Sequence, residues 1–214
     1  ASGSCAVNCR YCFRRHFPYG EEIAAASHWR EALERLRADP SIRELILSGG
    51  DPLSLATSKL EELTRGLAEL PQVIRLRIHT RLPVVLPERV DDSLLAWLAG
   101  LPLQKVVVLH ANHANELDAG VDAACAALRE TGATLLNQSV LLRGVNDDAD
   151  ALANLSERLF AAGVLPYYLH QLDRVHGTAH FEVADDTALA LLDTLRARLP
   201  GYLVPRLVRE VAGD

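Results

Sequence analysis

No apolar run in the 214 residues approaches the ~18 needed for a membrane helix. No secretory signal is visible, and no low-complexity tract or linker interrupts the chain. The phosphate-loop string G-x4-G-K-[ST] is absent, which excludes that mode of nucleoside triphosphate binding. A formal charge of −6 argues against a general affinity for nucleic acid. The expectation is a cytoplasmic protein with neither a membrane nor a nucleic acid as partner. Only four cysteines occur, and there is no second C-x2-C pair of the kind that structural zinc favours. His16 could still supply a fourth zinc ligand. An odd trio of thiols in one loop also fits disulfide pairing poorly.

That trio is the most informative feature present. Cys5, Cys9 and Cys12 are spaced C-x3-C-x2-C, with Tyr11 directly before the last. Three thiolates on one short loop can hold three corners of a [4Fe–4S] cubane. The fourth iron then lacks a protein ligand, whereas an electron-transfer ferredoxin supplies a fourth cysteine. An open iron can bind a small molecule and pass it an electron. Positive charge gathers beside the triad in Arg10, Arg14, Arg15 and His16. Such a run is either a solvated loop or a grip on an anionic cluster, carboxylate or phosphate. Cys125 sits in an apolar helical stretch and reads as a small buried hydrophobe.

The remainder alternates strand and helix. Glu44–Ser48, Ile74–His79, Lys105–His110, Thr134–Leu142 and Leu165–Leu169 are short apolar runs bounded by turn residues, as in buried parallel strands. Tyr202–Val208 offers a last strand. Ser27 is a candidate N-cap, and Leu60, Leu63, Leu67 and Leu70 form one helical stripe beginning at Thr57. Further helices are expected over Asp91–Leu98, Glu116–Thr131, Asp148–Ala162 and Asp185–Leu199. Strand starts recur roughly every 30 residues, the length of a βα unit. The expected fold is one α/β domain over residues 1–214: a partial parallel (β/α)6-type TIM-like barrel whose first strand is cut off. Chemistry then belongs at the C-terminal strand ends. Asp51, His79, Arg81, His110, Asn112, Asn137, Gln138, Ser139, His170 and Asp173 all fall at or near such ends.

The strings CRYCFRRHFPY, LSGGDPL, RIHTRLPVV, HANHANE, LLNQSVLLRGVND and PYYLHQLD occur in that order and span nearly the whole chain. Together they resemble the lysine 2,3-aminomutase family of the radical S-adenosylmethionine superfamily, closest to its elongation factor P branch. The resemblance implies three cofactors: a [4Fe–4S] cluster, S-adenosylmethionine and pyridoxal 5′-phosphate. It implies isomerisation of (S)-α-lysine to (R)-β-lysine, started by a 5′-deoxyadenosyl radical. An electron donor such as flavodoxin or ferredoxin is implied as a partner, with a functional link to elongation factor P and its lysyl ligase. By the same resemblance Cys5, Cys9 and Cys12 hold the cluster. Gly49, Gly50, Asp51, His110, Asn112, Gln138 and Ser139 match the S-adenosylmethionine pocket. Arg14 matches the grip on the substrate carboxylate, and Asp173 and Glu210 the partners of lysine's side-chain ammonium. Arg81 and Arg89 match contacts to the pyridoxal-phosphate phosphate. The family's Schiff-base lysine has no counterpart, since neither Lys59 nor Lys105 stands in its context. The other readings are an aminomutase for a different amino acid, or a non-catalytic iron–sulfur or zinc-binding module.

Overall fold

The computed structural model describes residue 1 and residues 3–12 and 26–210, the side chains of 26–28 excepted. Six parallel strands lie in one sheet in chain order: β1 (Glu44–Leu47), β2 (Arg75–His79), β3 (Gln104–His110), β4 (Ala133–Val140), β5 (Leu165–His170) and β6 (Arg206–Val208). Among the described residues β1 and β6 do not pair, so the sheet is an open arc of a barrel. No helix among these residues is long and apolar enough to cross a membrane.

Helices fill the connections: α1 (Ala26–Ala38), α2 (Thr57–Arg65), α3 (Leu82–Val85), α4 (Asp92–Gly100), α5 (Ala119–Glu130), α6 (Ala149–Ala161) and α7 (Asp185–Arg198). The leucine stripe behaves as its spacing predicts. Leu60 and Leu63 on α2, Leu67 in the 3-10 turn that continues it and Leu70 directly after that turn are all buried. Burying each such side chain contributes about 1.5–3 kcal/mol. Two details differ from expectation. Ser27 lies inside α1, not before it. The helix expected from Glu116 begins at Ala119, capped by Asp118, and leaves Glu116 in a separate 3-10 turn.

The core sits between helices and sheet. Leu45 and Leu47 of β1 pack into it, while the alternate residue Ile46 lines the opposite, inner face. The large cluster spans β1 to β4 and includes Trp97, whose indole N–H donates to Thr64 Oγ1 at 3.0 Å. A smaller cluster around Leu169, Leu141 and Leu195 supports β5 and α7. Cys125 is fully buried on α5, and that burial pushes its thiol up to about 11. Near the chain start, Ala1 donates to Ser48 O at 2.7 Å and Asp51 N donates to Ser4 O at 2.8 Å. The segment that delivers the cysteine loop is thus laid along the end of β1.

Candidate active site

Two glycines permit that close approach. A Cβ on Gly50 would stand 2.2 Å from Ser4 O, closer than any side chain can sit. Gly49 has φ 131°, a conformation other residues rarely adopt. The cysteine loop is thereby held over the C-terminal strand ends. Cys5, Cys9 and Cys12 line one side of a cavity of about 520 Å³, together with Gly49, Gly50 and Asp51. All four cysteines are free thiols.

Asp51 joins the ends of β1 and β2. Its carboxylate accepts from Leu53 N, Thr80 Oγ1, Arg81 N and Leu82 N at 2.7–3.2 Å. At 7% exposure it is almost fully enclosed. Both oxygens serve this brace, so the turn would offer a ligand chiefly its backbone.

From the next residue pair springs a second network. Arg81 Nη1 donates to Cys9 Sγ at 3.1 Å and to the Tyr11 hydroxyl at 2.5 Å. Its Nη2 donates to Glu116 Oε2 at 2.6 Å. The other oxygen, Glu116 Oε1, accepts from Asn112 N and His113 N. Asn112 Nδ2 also donates to the Tyr11 oxygen at 2.6 Å. The same oxygen lies 3.3 Å from His110 Nε2. The His110 imidazole is neutral. Burial, then Arg81 and His170, push its pKa down to about 3. Burial is also the main cause that raises the Tyr11 phenol, so it stays protonated.

Across the cavity lie Gln138, Tyr168, His170, Asp173 and Glu210. Burial and then Glu210 raise the Asp173 carboxyl, with His170 opposing. Burial lowers His170, against the pull of Glu210 and Asp173. Neither Asp173 nor Glu210 forms an ion pair among the described residues.

The structure thus brings Cys5, Cys9, Cys12, Gly49, Gly50, Asp51, Arg81, His110, Gln138, Asp173 and Glu210 to one cavity. Ser139 faces the other way: its hydroxyl donates to Ala111 O at 2.8 Å, beside Asn137, which bonds both Ala111 backbone groups. Asn112 stands behind the wall and braces Tyr11. Arg89, matched to a phosphate contact, instead donates to Leu53 O and Leu55 O. Arg81, matched to the same phosphate, turns to the cysteine loop. Arg14 lies outside the described residues, as do Arg15 and His16. Glu116 and the phenol of Tyr11 are site groups that sequence reasoning did not reach. The string HANHANE carried the signal for Glu116, read there only as a helix start.

Which groups could these residues hold? Among the described residues no three His, Cys, Asp or Glu side chains converge on a single-ion site. Three thiols on one wall, with a guanidinium beside one, suit a cubane that takes each thiolate at a different iron. Pyridoxal phosphate fits less well. No lysine lines the cavity: Lys59 pairs with Glu62 on α2, and Lys105 lies near the start of β3, away from its C-terminal end. The amine that would carry that cofactor covalently is not among these residues.

A cysteine triad over the C-terminal ends of an open parallel α/β sheet defines a class. The chain belongs to the radical SAM superfamily, which it matches over residues 2–155. It is 53% identical over 212 residues to L-lysine 2,3-aminomutase of Escherichia coli (strain K12), covering 99% of this chain and 62% of that protein. To L-lysine 2,3-aminomutase of Clostridium subterminale it is 36% identical over 211 residues, covering 98% and 50%. The chain thus spans between half and two thirds of these relatives. Among solved structures, native anSMEcpe with bound AdoMet and Cp18Cys peptide aligns with TM-score 0.70 at 15% identity, over 92% of this chain and 57% of that one. A mutant of spore photoproduct lyase aligns with TM-score 0.58 at 14% identity, over 96% and 74%. These two likenesses concern the fold.

Proposed function

We propose that the native protein is a radical isomerase of the lysine 2,3-aminomutase type, converting (S)-α-lysine to (R)-β-lysine. The observation that carries this reading is the placing of Asp173 and Glu210. Two carboxylates without an ion pair among the described residues share one cavity with the cysteine triad. A cationic side chain is the natural complement of that pair. The 53% identity to an L-lysine 2,3-aminomutase supports the same substrate.

When bound, the cluster and S-adenosylmethionine would supply a hydrogen-abstracting radical. This chain's residues do the rest of the positioning. Cys5, Cys9 and Cys12 hold the cluster. The Gly49-Gly50 backbone admits a ligand closely, and Asp51 fixes that turn. Gln138 and neutral His110 offer hydrogen bonds along the wall. Asp173 and Glu210 set the far end, at a distance that selects the length of the substrate. The β-lysine formed would pass to a ligase acting on elongation factor P, with a flavodoxin or ferredoxin as electron donor.

The test is anaerobic turnover of isotopically labelled lysine by the reconstituted native polypeptide, read by mass spectrometry. The expected product is β-lysine with its nitrogen moved to the adjacent carbon. Turnover of a neutral or acidic amino acid in preference to lysine would overturn the reading.

A further inference from the structure

The network around Arg81 does more than line a cavity. One guanidinium nitrogen donates both to a candidate cluster ligand, Cys9 Sγ, and to the phenol of Tyr11 in the same motif. The second terminal nitrogen is held by Glu116, itself fixed by two backbone N–H groups. Arg81's own backbone N–H is fixed by Asp51. The guanidinium is therefore immobilised from three directions before any cofactor arrives. Its Nε is buried and has no hydrogen-bond partner among the described residues. A buried unsatisfied donor is costly unless a bound group accepts from it.

We propose that Arg81 is a positioning residue for the iron–sulfur centre: it fixes the Cys9 thiolate and sets the ease with which the centre accepts an electron. Reduction adds one negative charge to the centre. A fixed cation and an N–H donor at a ligand sulfur stabilise the reduced form more than the oxidised form, and so raise the potential. Glu116 works against this, because its carboxylate partly neutralises the same guanidinium. The two residues should therefore shift the potential in opposite directions. This inference rests on membership of the superfamily and not on lysine as substrate.

The experiment is an EPR-monitored redox titration of the reconstituted native polypeptide without lysine, as wild type, Arg81→Gln, Arg81→Lys and Glu116→Gln. Arg81→Gln is expected to lower the ratio of reduced to oxidised cluster about tenfold at a fixed poise, about 59 mV for one electron. Arg81→Lys should fall between it and wild type, since the charge remains but the planar fork is lost. Glu116→Gln should shift the potential upward. A role in folding alone would lower thermal stability in both variants without opposite shifts. Arg81→Gln with full iron content and a wild-type potential would overturn the proposal. If Arg81→Gln fails to hold iron, Glu116→Gln decides: an upward shift supports the assignment, and an unchanged or lowered potential refutes it.

Discussion

Over β1 to β3 the cavity rim is a closed hydrogen-bond network, whereas over β5 and β6 it presents two carboxylates with no ion pair among the described residues. On the first side Asp51 alone accepts four hydrogen bonds, and Arg81 links Cys9, Tyr11 and Glu116. On the second, burial and mutual repulsion hold the Asp173 carboxyl above its ordinary range. The first side is backed by the large core cluster and the second by the small one. A resident inorganic centre needs a preformed rigid seat, while an exchangeable cation needs charge that has not already been paired. The contrast matches the proposed division between cluster and substrate.

The sharpest way to break the comparison is Asp51→Ala. Several buried donors would lose their acceptor at once, a cost of about 3 kcal/mol or more. For a domain of this size that lowers Tm by roughly 6–12 °C. Thermal denaturation of the apo protein measures it, and iron per chain after reconstitution should fall as well. A Tm within about 2 °C of wild type would mean the rim is not the rigid half. Gly50→Ala should come next. Its Cβ would meet backbone, not a movable side chain, at 2.2 Å. Overpacking of this kind costs about 1–3 kcal/mol. Because the clash is with the segment leading to Cys5, iron incorporation should drop further than thermal stability.

The opposite side should respond chiefly in function. Asp173→Asn is expected to leave iron content intact, to raise Tm only slightly where Asp173 is ionised, and to raise the KM for lysine about 30-fold. That corresponds to about 2 kcal/mol, the low end for breaking a charge pair. Unchanged KM would remove Asp173 from the substrate site.

The comparison also accounts for what could be read from the sequence. The cysteine triad is a short spaced string and legible on its own, whereas the role of the Gly-Gly-Asp turn is what the family resemblance implies. The strands and the leucine stripe of α2 are periodic, and periodicity survives into structure. Direction across a strand was harder. Gln138 and Ser139 are neighbours on β4, yet one lines the cavity and the other bonds Ala111 O behind it. The Arg81 network was least legible. Its members come from the cysteine loop, the β2 end and the turn after β3, separated by 70 and 35 residues. No local pattern encodes such a meeting. The carboxylate brace of Asp51 was equally hidden, because it depends on where β2 ends.

Acidity gives the smallest expected effect and the finest test of the contrast. A carboxyl with a raised pKa takes up its proton at a higher pH than an ordinary aspartate. As pH falls through that range, Asp173 loses its charge and lysine should bind progressively less well. Folding stability should move the other way. The folded state binds this proton more tightly than the unfolded one, so the site's unfavourable contribution is present above the folded pKa and is relieved as pH drops through it. Wild type should therefore lose substrate affinity on mild acidification, relative to Asp173→Asn, while gaining slightly in stability against the same variant. Burial holds His170 below its ordinary value, against the pull of Glu210 and Asp173. Parallel measurements of KM and Tm for the two proteins across pH would show two curves of opposite slope. Curves of the same slope would mean that the Asp173 carboxylate is already satisfied by a partner, and that the two rims are built alike.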